Sequence, residues 1–235
     1  MTTPTAETAW TYLQLCQRTA VECGVANASL NPAPGSVVGQ TGELLRVCNY
    51  VADAWRELQG RILWSWMWEV GTVTVPAGAS KVAVGIAADR WIKRGVRIPG
   101  PPTSDGRFLD YIEWQDFALL YATQYAGNSI GAWTIDPAGN FCINGLAPAG
   151  GFTVLAQRYA NPTALRLDTD VPGLPADLQM ILVYKAMRKY AGFDEAGTQR
   201  ALALDEERSL MADLQNRCLP TIQFGGSLLD QYGGW

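Results

Sequence analysis

The spacing of hydrophobic and polar residues changes period twice along the chain. Ala9, Leu13, Cys16, Ala20 and Cys23 recur at alternating steps of four and three, one narrow stripe of a helix. Thr3 followed by Pro4 reads as the start of that helix, and Gly24 as its stop. Residues 26–42 are rich in Asn, Pro, Ser and Gly and read as a loop. Thr41 can cap a second helix with a buried face of Leu44, Val47, Cys48, Val51, Trp55, Leu58 and Ile62. Gly60 weakens its C-terminal part.

Beyond that helix the period drops to two. Trp64, Trp66 and Trp68 alternate, which would place three indoles on one face of an extended strand. Short strands are predicted over Lys81–Ile86, Val96–Ile98, Ala132–Ile135, Phe141–Ile143 and Phe152–Tyr159, with a short helix over Trp114–Tyr125. Asp136-Pro137-Ala138-Gly139-Asn140 reads as a hairpin turn, because Pro fixes one φ and Gly permits a positive one. Gly145–Gly151 reads as a hairpin-type loop.

Helical spacing returns after Val171-Pro172-Gly173-Leu174-Pro175. Leu178, Ile181, Leu182, Ala186 and Tyr190 form a stripe that Gly192 would stop. Asp194 would cap a last helix using Ala201, Leu204, Met211, Leu214 and Cys218, with Asp205, Glu206, Glu207 and Arg208 in water and Pro220 at its end. The closing segment, Thr221–Trp235, has almost no charge yet carries Ile222, Phe224, Leu228, Leu229, Tyr232 and Trp235. Leaving those side chains in water is unfavourable, so the tail should dock on its own domain or on a partner. The expected fold is α+β: an antiparallel helical bundle of N- and C-terminal helices (1–66 and 171–220), an inserted β-rich domain (67–170) and an extended tail (221–235).

Composition narrows the chemistry. Hydrophobic residues make up 48% and charged residues 17% of the 235 positions, enough for a core and suggestive of surface covered by other subunits. The net charge of -4 and the shortness of the basic cluster Arg90, Lys93, Arg94 and Arg97 argue against gripping nucleic acid. That cluster reads as a solvated strand edge or loop. With no histidine, triad catalysis and His-ligated metal sites are excluded. The start, Met1–Glu7, has no apolar run of the signal-peptide kind, and the five cysteines lack any CxxC pair. They read as reduced thiols, those on the helical stripes as small core residues. No apolar run is long enough to span a bilayer.

Two constellations remain to be weighed. The tryptophans could form a platform for sugars or bases, although filling a core or interface accounts for them too. Asp110, Glu113 and Asp116 could supply the acid and base of a glycan hydrolase, or simply a solvated face. Asp168 and Asp170 suit turn or capping duty. No phosphate loop, dinucleotide fingerprint or calcium loop occurs.

From Phe108 to Phe193 the order of motifs resembles the head-to-tail adaptor (connector) proteins of tailed bacteriophages. The series runs Tyr111-Ile112-Glu113-Trp114-Gln115-Asp116-Phe117, the Trp133–Ile135 strand, the loop Leu146-Ala147-Pro148, and Arg158-Tyr159-Ala160-Asn161-Pro162-Thr163-Ala164-Leu165. It continues through Asp170-Val171-Pro172-Gly173-Leu174-Pro175 to a helix with Val183–Ala186, leading to Tyr190-Ala191. A second helix running into a Trp-rich exit, Trp55–Trp68, agrees; residues 75–103 match little. The resemblance implies a non-enzymatic virion protein without cofactor or metal, assembled in the host cytoplasm. It would form a homo-oligomeric, commonly dodecameric ring beneath the portal protein and bind that portal through Ile222, Phe224, Leu228, Leu229, Tyr232 and Trp235. The β insertion would meet a tail or nozzle protein, and DNA would pass through without specific binding. The rival readings are a carboxylate-dependent glycan hydrolase and a carbohydrate-binding tail module.

Overall fold

A computed structural model describes residues 8–27, 31–84, 88–100, 106–121 and 129–219. In chain order the helices are α1 (Tyr12–Glu22), α2 (Gly42–Arg61), α3 (Trp114–Tyr121), α4 (Met180–Phe193) and α5 (Gly197–Cys218). The strands are β1 (Trp68–Val75), β2 (Lys81–Ala83), β3 (Ala88–Ile98), β4 (Arg107–Phe108), β5 (Asp110–Tyr111), β6 (Ala132–Ile135), β7 (Asn140–Ile143) and β8 (Phe152–Ala160). The fold is mixed α+β. The chain forms two compact units, Met1–Trp66 with Thr163–Trp235, and Met67–Pro162.

In the helical unit, α1 begins where the side chains permit it. Thr11 accepts from the Gln14 amide at 3.3 Å while Gln14 Oε1 accepts from the Thr11 amide at 2.8 Å, a reciprocal capping box. The expected start at Thr3-Pro4 lies outside the described residues, but Ala9 is not helical, so the stripe begins later than its spacing suggests. Gly24 ends the helix at φ +70, as expected. Thr41 occupies the cap position of α2 in extended conformation, but its side chain makes no capping bond.

Helix α4 is the hub, touching α1, α2 and α5. Leu15, Val47, Val51, Leu58, Ile181, Leu182 and Leu214 are fully buried, each worth about 2 kcal/mol relative to exposure. Two expected boundaries shift. Gly192 does not stop α4, because the Asp194 amide still reaches the Tyr190 carbonyl at 2.9 Å, and Asp194 closes α4 rather than capping α5. The turn is made instead at Glu195, which adopts φ 55. On α5 the buried line is Ala203, Glu207, Leu214 and Cys218, with Ala201 exposed. The expectation that Glu207 faces water is therefore wrong.

Residues 163–170, expected with the β insertion, bond into the helical unit. Gln59 donates to the Thr163 carbonyl at 2.9 Å and accepts from the Thr163 amide at 2.8 Å. Asp168 accepts from the Val37 amide at 2.6 Å, and its carbonyl takes the Leu13 amide at 3.3 Å. Asp170 accepts from the Arg166 and Leu167 amides at 2.6 and 2.8 Å. Asp170 does the turn duty expected of it, whereas the Asp168 side chain instead ties the distant loop at Ser36 and Val37.

The β unit contains two four-stranded sheets, ordered β1-β8-β3-β4 and β2-β7-β6-β5. β1 and β8 pair antiparallel over eight residues, from Trp68 opposite Tyr159 to Val75 opposite Phe152. β5 and β6 run parallel, while β6 and β7 form the expected hairpin. In its turn, Asp136 Oδ1 accepts from the Ala138 and Asn140 amides at 2.9 and 2.8 Å, and Gly139 adopts φ +80. The Gly145–Gly151 segment is not a hairpin loop, since β7 and β8 lie in different sheets. Gly151 is needed there: it has φ +65, and an added Cβ would lie 2.8 Å from the Val75 carbonyl oxygen.

The sheets share one core of Val73, Val75, Val96, Trp133, Phe141, Ile143, Val154 and Ala156. Trp133 stacks on Phe141 with centroids 5.5 Å apart and meets Tyr111 edge-on at 5.0 Å. Strand Lys81–Ala83 is shorter than expected, although residues 85–87 lie outside the described set. The strand expected at Val96–Ile98 begins at Ala88, and the helix expected to reach Tyr125 is described to Tyr121.

Candidate functional site

The tryptophan run does not form a platform. Ser65–Met67 is a 3-10 turn, so the three indoles do not share a strand face. Trp64 is fully buried and donates from Nε1 to the Leu58 carbonyl at 2.7 Å. Trp66 stacks on it with centroids 4.8 Å apart and planes at 9°. Trp68 begins β1 and is 44% exposed. Two of the three serve the helical unit's packing; the third belongs to the surface of the sheet.

The candidate carboxylates are not arranged as an acid and a base. Glu113 is exposed, pairs with Lys93 and accepts from the Tyr111 hydroxyl at 3.0 Å. Those two donors, Lys93 first, hold its carboxyl below the usual glutamate range. A glycosidic general acid needs the opposite displacement. Asp110 and Asp116 are exposed, on β5 and in the first turn of α3.

The cysteines are buried free thiols. A hydrogen bond with Cys48, together with burial, pushes Cys16 well above the usual thiol range; burial pushes Cys23 up to about 12. The surroundings of Cys16 and Cys23 disfavour the thiolate that nucleophilic chemistry uses; the bond with Cys16 lowers Cys48 instead, but that thiol is buried away from solvent.

Charged residues also meet inside the helical unit, where the sequence predicts that Glu207 faces water. Lys185 on α4 is fully buried and lies 3.2 Å from Glu57 Oε2 and 3.4 Å from Glu207 Oε1. Arg188 Nε reaches Glu207 Oε2 at 2.6 Å, and Lys189 pairs with Glu57. Burial works to raise the Glu57 pKa, but the two lysines outweigh it and lower the value. Each carboxylate meets two cations, Lys185 being shared between them, so the network joins α2, α4 and α5 and leaves none of its buried charges unpaired. The available signal was position: Lys185 lies four residues after Ile181 and Glu207 four after Ala203, both on buried lines.

The first sheet presents a surface of a different kind. Its inner side is set by Val73, Val75, Val96, Val154 and Ala156. Alternation then puts Trp68, Val70, Thr72 and Thr74 of β1 on the outer side, opposite Tyr159, Gln157, Leu155 and Thr153 of β8. Arg90 pairs with Tyr159, Arg97 with Leu155, and Phe108 with Arg97, so these three lie outward too. Trp68, Val70 and Phe108 are 44%, 50% and 57% exposed. Of the basic cluster, only Arg97 is paired on both sides; Arg90 pairs with β8 alone, and Lys93 and Arg94 lie in the irregular, exposed stretch between Trp91 and Val96. Lys93 is occupied by Glu113 and lies 4.7 Å from the centroid of the Tyr111 ring.

The expected portal-binding residues Ile222, Phe224, Leu228, Leu229, Tyr232 and Trp235 lie outside the described residues. Among the described residues no helix is long and apolar enough to cross a membrane. The ion network of the helical unit, the pairing of Glu113 with Lys93 and the exposed outer side of the first sheet are features of packing and surface. The chain belongs to the SU10 adaptor protein family, a phage head-tail adaptor family whose profile matches residues 10–220. Membership makes it a phage adaptor and a virion component, and points to a structural role. No curated protein matches the chain.

Proposed function

We propose that copies of this chain form a ring under the portal, commonly twelve-fold, that links portal to tail and continues the DNA channel. The observation that carries this reading is the family match over residues 10–220, which spans both units. Helices 1–66 and 171–220 act as an antiparallel bundle packing against neighbouring copies and the portal. The β-rich insertion faces a tail or nozzle protein. The apolar tail supplies the portal contact through Ile222, Phe224, Leu228, Leu229, Tyr232 and Trp235. Docking of the tail on an assembled portal would make assembly sequential in the host cytoplasm. The net charge of -4 suits a channel through which DNA moves without specific binding.

Co-sedimentation of the purified chain with portal rings tests this. The full chain should pellet with the rings, and a chain lacking 221–235 should stay in the supernatant. Unchanged binding of the truncated chain removes the tail from the account. A full chain that never pellets removes the portal contact.

A further inference from the structure

Resting on the ring reading above, we infer that the outer face of the first sheet is a contact between copies. Its occupant is the exposed acidic line of α5 on a second copy of this chain. On the sheet side, one row runs Trp68, Tyr159, Arg90 and a second runs Thr72, Leu155, Arg97, Phe108. The face thus offers aromatic and aliphatic groups, two guanidinium groups and no described carboxylate. Neither Arg90 nor Arg97 has an ion-pair partner within the described residues.

The complement lies on α5. Leu202, Glu206, Ser209 and Asp213 are all exposed, and steps of four, three and four put them on one line of the helix. Leu202 is 57% exposed, and neither Glu206 nor Asp213 has an ion-pair partner within the described residues. Charge is divided in the same sense: the net -4 lies wholly on the helical unit, while the β unit is balanced. An apolar centre with opposite charges around it is the composition of a specific interface.

Every copy carries both patches. Two different patches meeting head to tail close into a ring when the rotation permits, which two copies of one patch cannot do. Sheet face against sheet face would set arginine against arginine. The chain's own tail, whose sole acid is Asp230, answers only one of the two guanidiniums.

Sedimentation velocity of the full chain across a concentration series tests the contact. Wild type should self-associate. Arg90→Glu with Arg97→Glu, and separately Glu206→Arg with Asp213→Arg, should each weaken association about 100-fold, because like charges then face each other. An equimolar mixture of the two variants should regain association to within about tenfold of wild type, since the reversed patches again match. Recovery on mixing excludes misfolding as the cause of the loss. A wild type that stays monomeric at several hundred micromolar overturns the contact, as do reversals without effect and a loss that mixing does not restore. Loss on the arginine side alone gives the face to another occupant and also overturns it. Portal co-sedimentation is read separately: portal binding without association through this face keeps the adaptor reading and rejects the contact, and the reverse result rejects only the portal reading.

Discussion

The helical unit and the β unit both pair their buried charges, Lys185 and Glu207 in one and Asp136 and Arg158, each with its own partner, in the other, but they differ in the apolar surface they leave exposed. The helical unit holds a five-membered ion network around buried Lys185 and Glu207, with Glu57, Arg188 and Lys189 reaching toward its surface. The β unit packs one side of its first sheet and leaves the other side covered with Trp68, Val70, Leu155, Phe108 and two arginines. The first arrangement gives a unit whose interior needs nothing more. The second leaves surface that is better buried than wet. The difference separates what holds this adaptor together from what it presents to others.

Breaking the interiors should have the largest effect. Trp133→Ala in the β unit removes a fully buried ring stacked on Phe141 and should cost about 3–5 kcal/mol in a denaturant titration of the full chain. Trp64→Ala should cost a similar amount, because it loses both the stack on Trp66 and the bond to Leu58. Trp68→Ala, on the uncovered face, should leave stability nearly unchanged. A loss as large as that at Trp64 would show that Trp68 is part of an interior.

Next comes the ion network, where the two partners should not behave alike. Glu207→Ala strands Arg188 and removes one of the two partners of buried Lys185, at about 3 kcal/mol. Lys185→Met keeps the volume and leaves Glu57 with Lys189 and Glu207 with Arg188, so it should cost under about 1 kcal/mol. Equal losses would show that Lys185 is required for more than compensation.

Much of this was legible in the chain, and the exceptions share a cause. The β6–β7 hairpin was readable because Pro137 and Gly139 settle it locally. The α2 stripe and the Gly24 stop were local in the same way. Trp64 and Trp66 were misread as strand because alternation over five residues is too short a run to fix a period; Trp64 is drawn back to the helical unit by its bond to the Leu58 carbonyl. Glu207 was misread because its acidity predicts water, whereas its partner Lys185 lies 22 residues away. The uncovered face depends on which strands pair, and β1 and β8 are joined only by the fold. The phage-adaptor reading came from motif order rather than from any single site.

A smaller effect is expected at the hairpin turn. Burial works to raise the Asp136 pKa, but Lys81 and the Asn140 bonds outweigh it and hold it at about 2, against 3.8 ordinarily. A carboxyl with a lowered folded pKa stabilises above its unfolded value, so this contribution is present above pH 3.8 and fades as pH falls toward about 2. Titrations of wild type and Asp136→Asn should therefore differ at pH 5 and converge near pH 2; a constant gap would deny the carboxylate its role. The smallest effect belongs to Glu113→Gln. Its ion pair is fully exposed, and neither stability nor portal association should change measurably. Peptidoglycan clearing by wild type that this substitution abolished would instead support a hydrolase.

The proposed ring would place copies of this adaptor in contact with one another beneath the portal. Electron microscopy of portal rings with and without the full chain tests it most directly. The account predicts a closed ring of added density beneath each portal, with neighbouring copies in contact. Portals that look the same with and without the chain would contradict it.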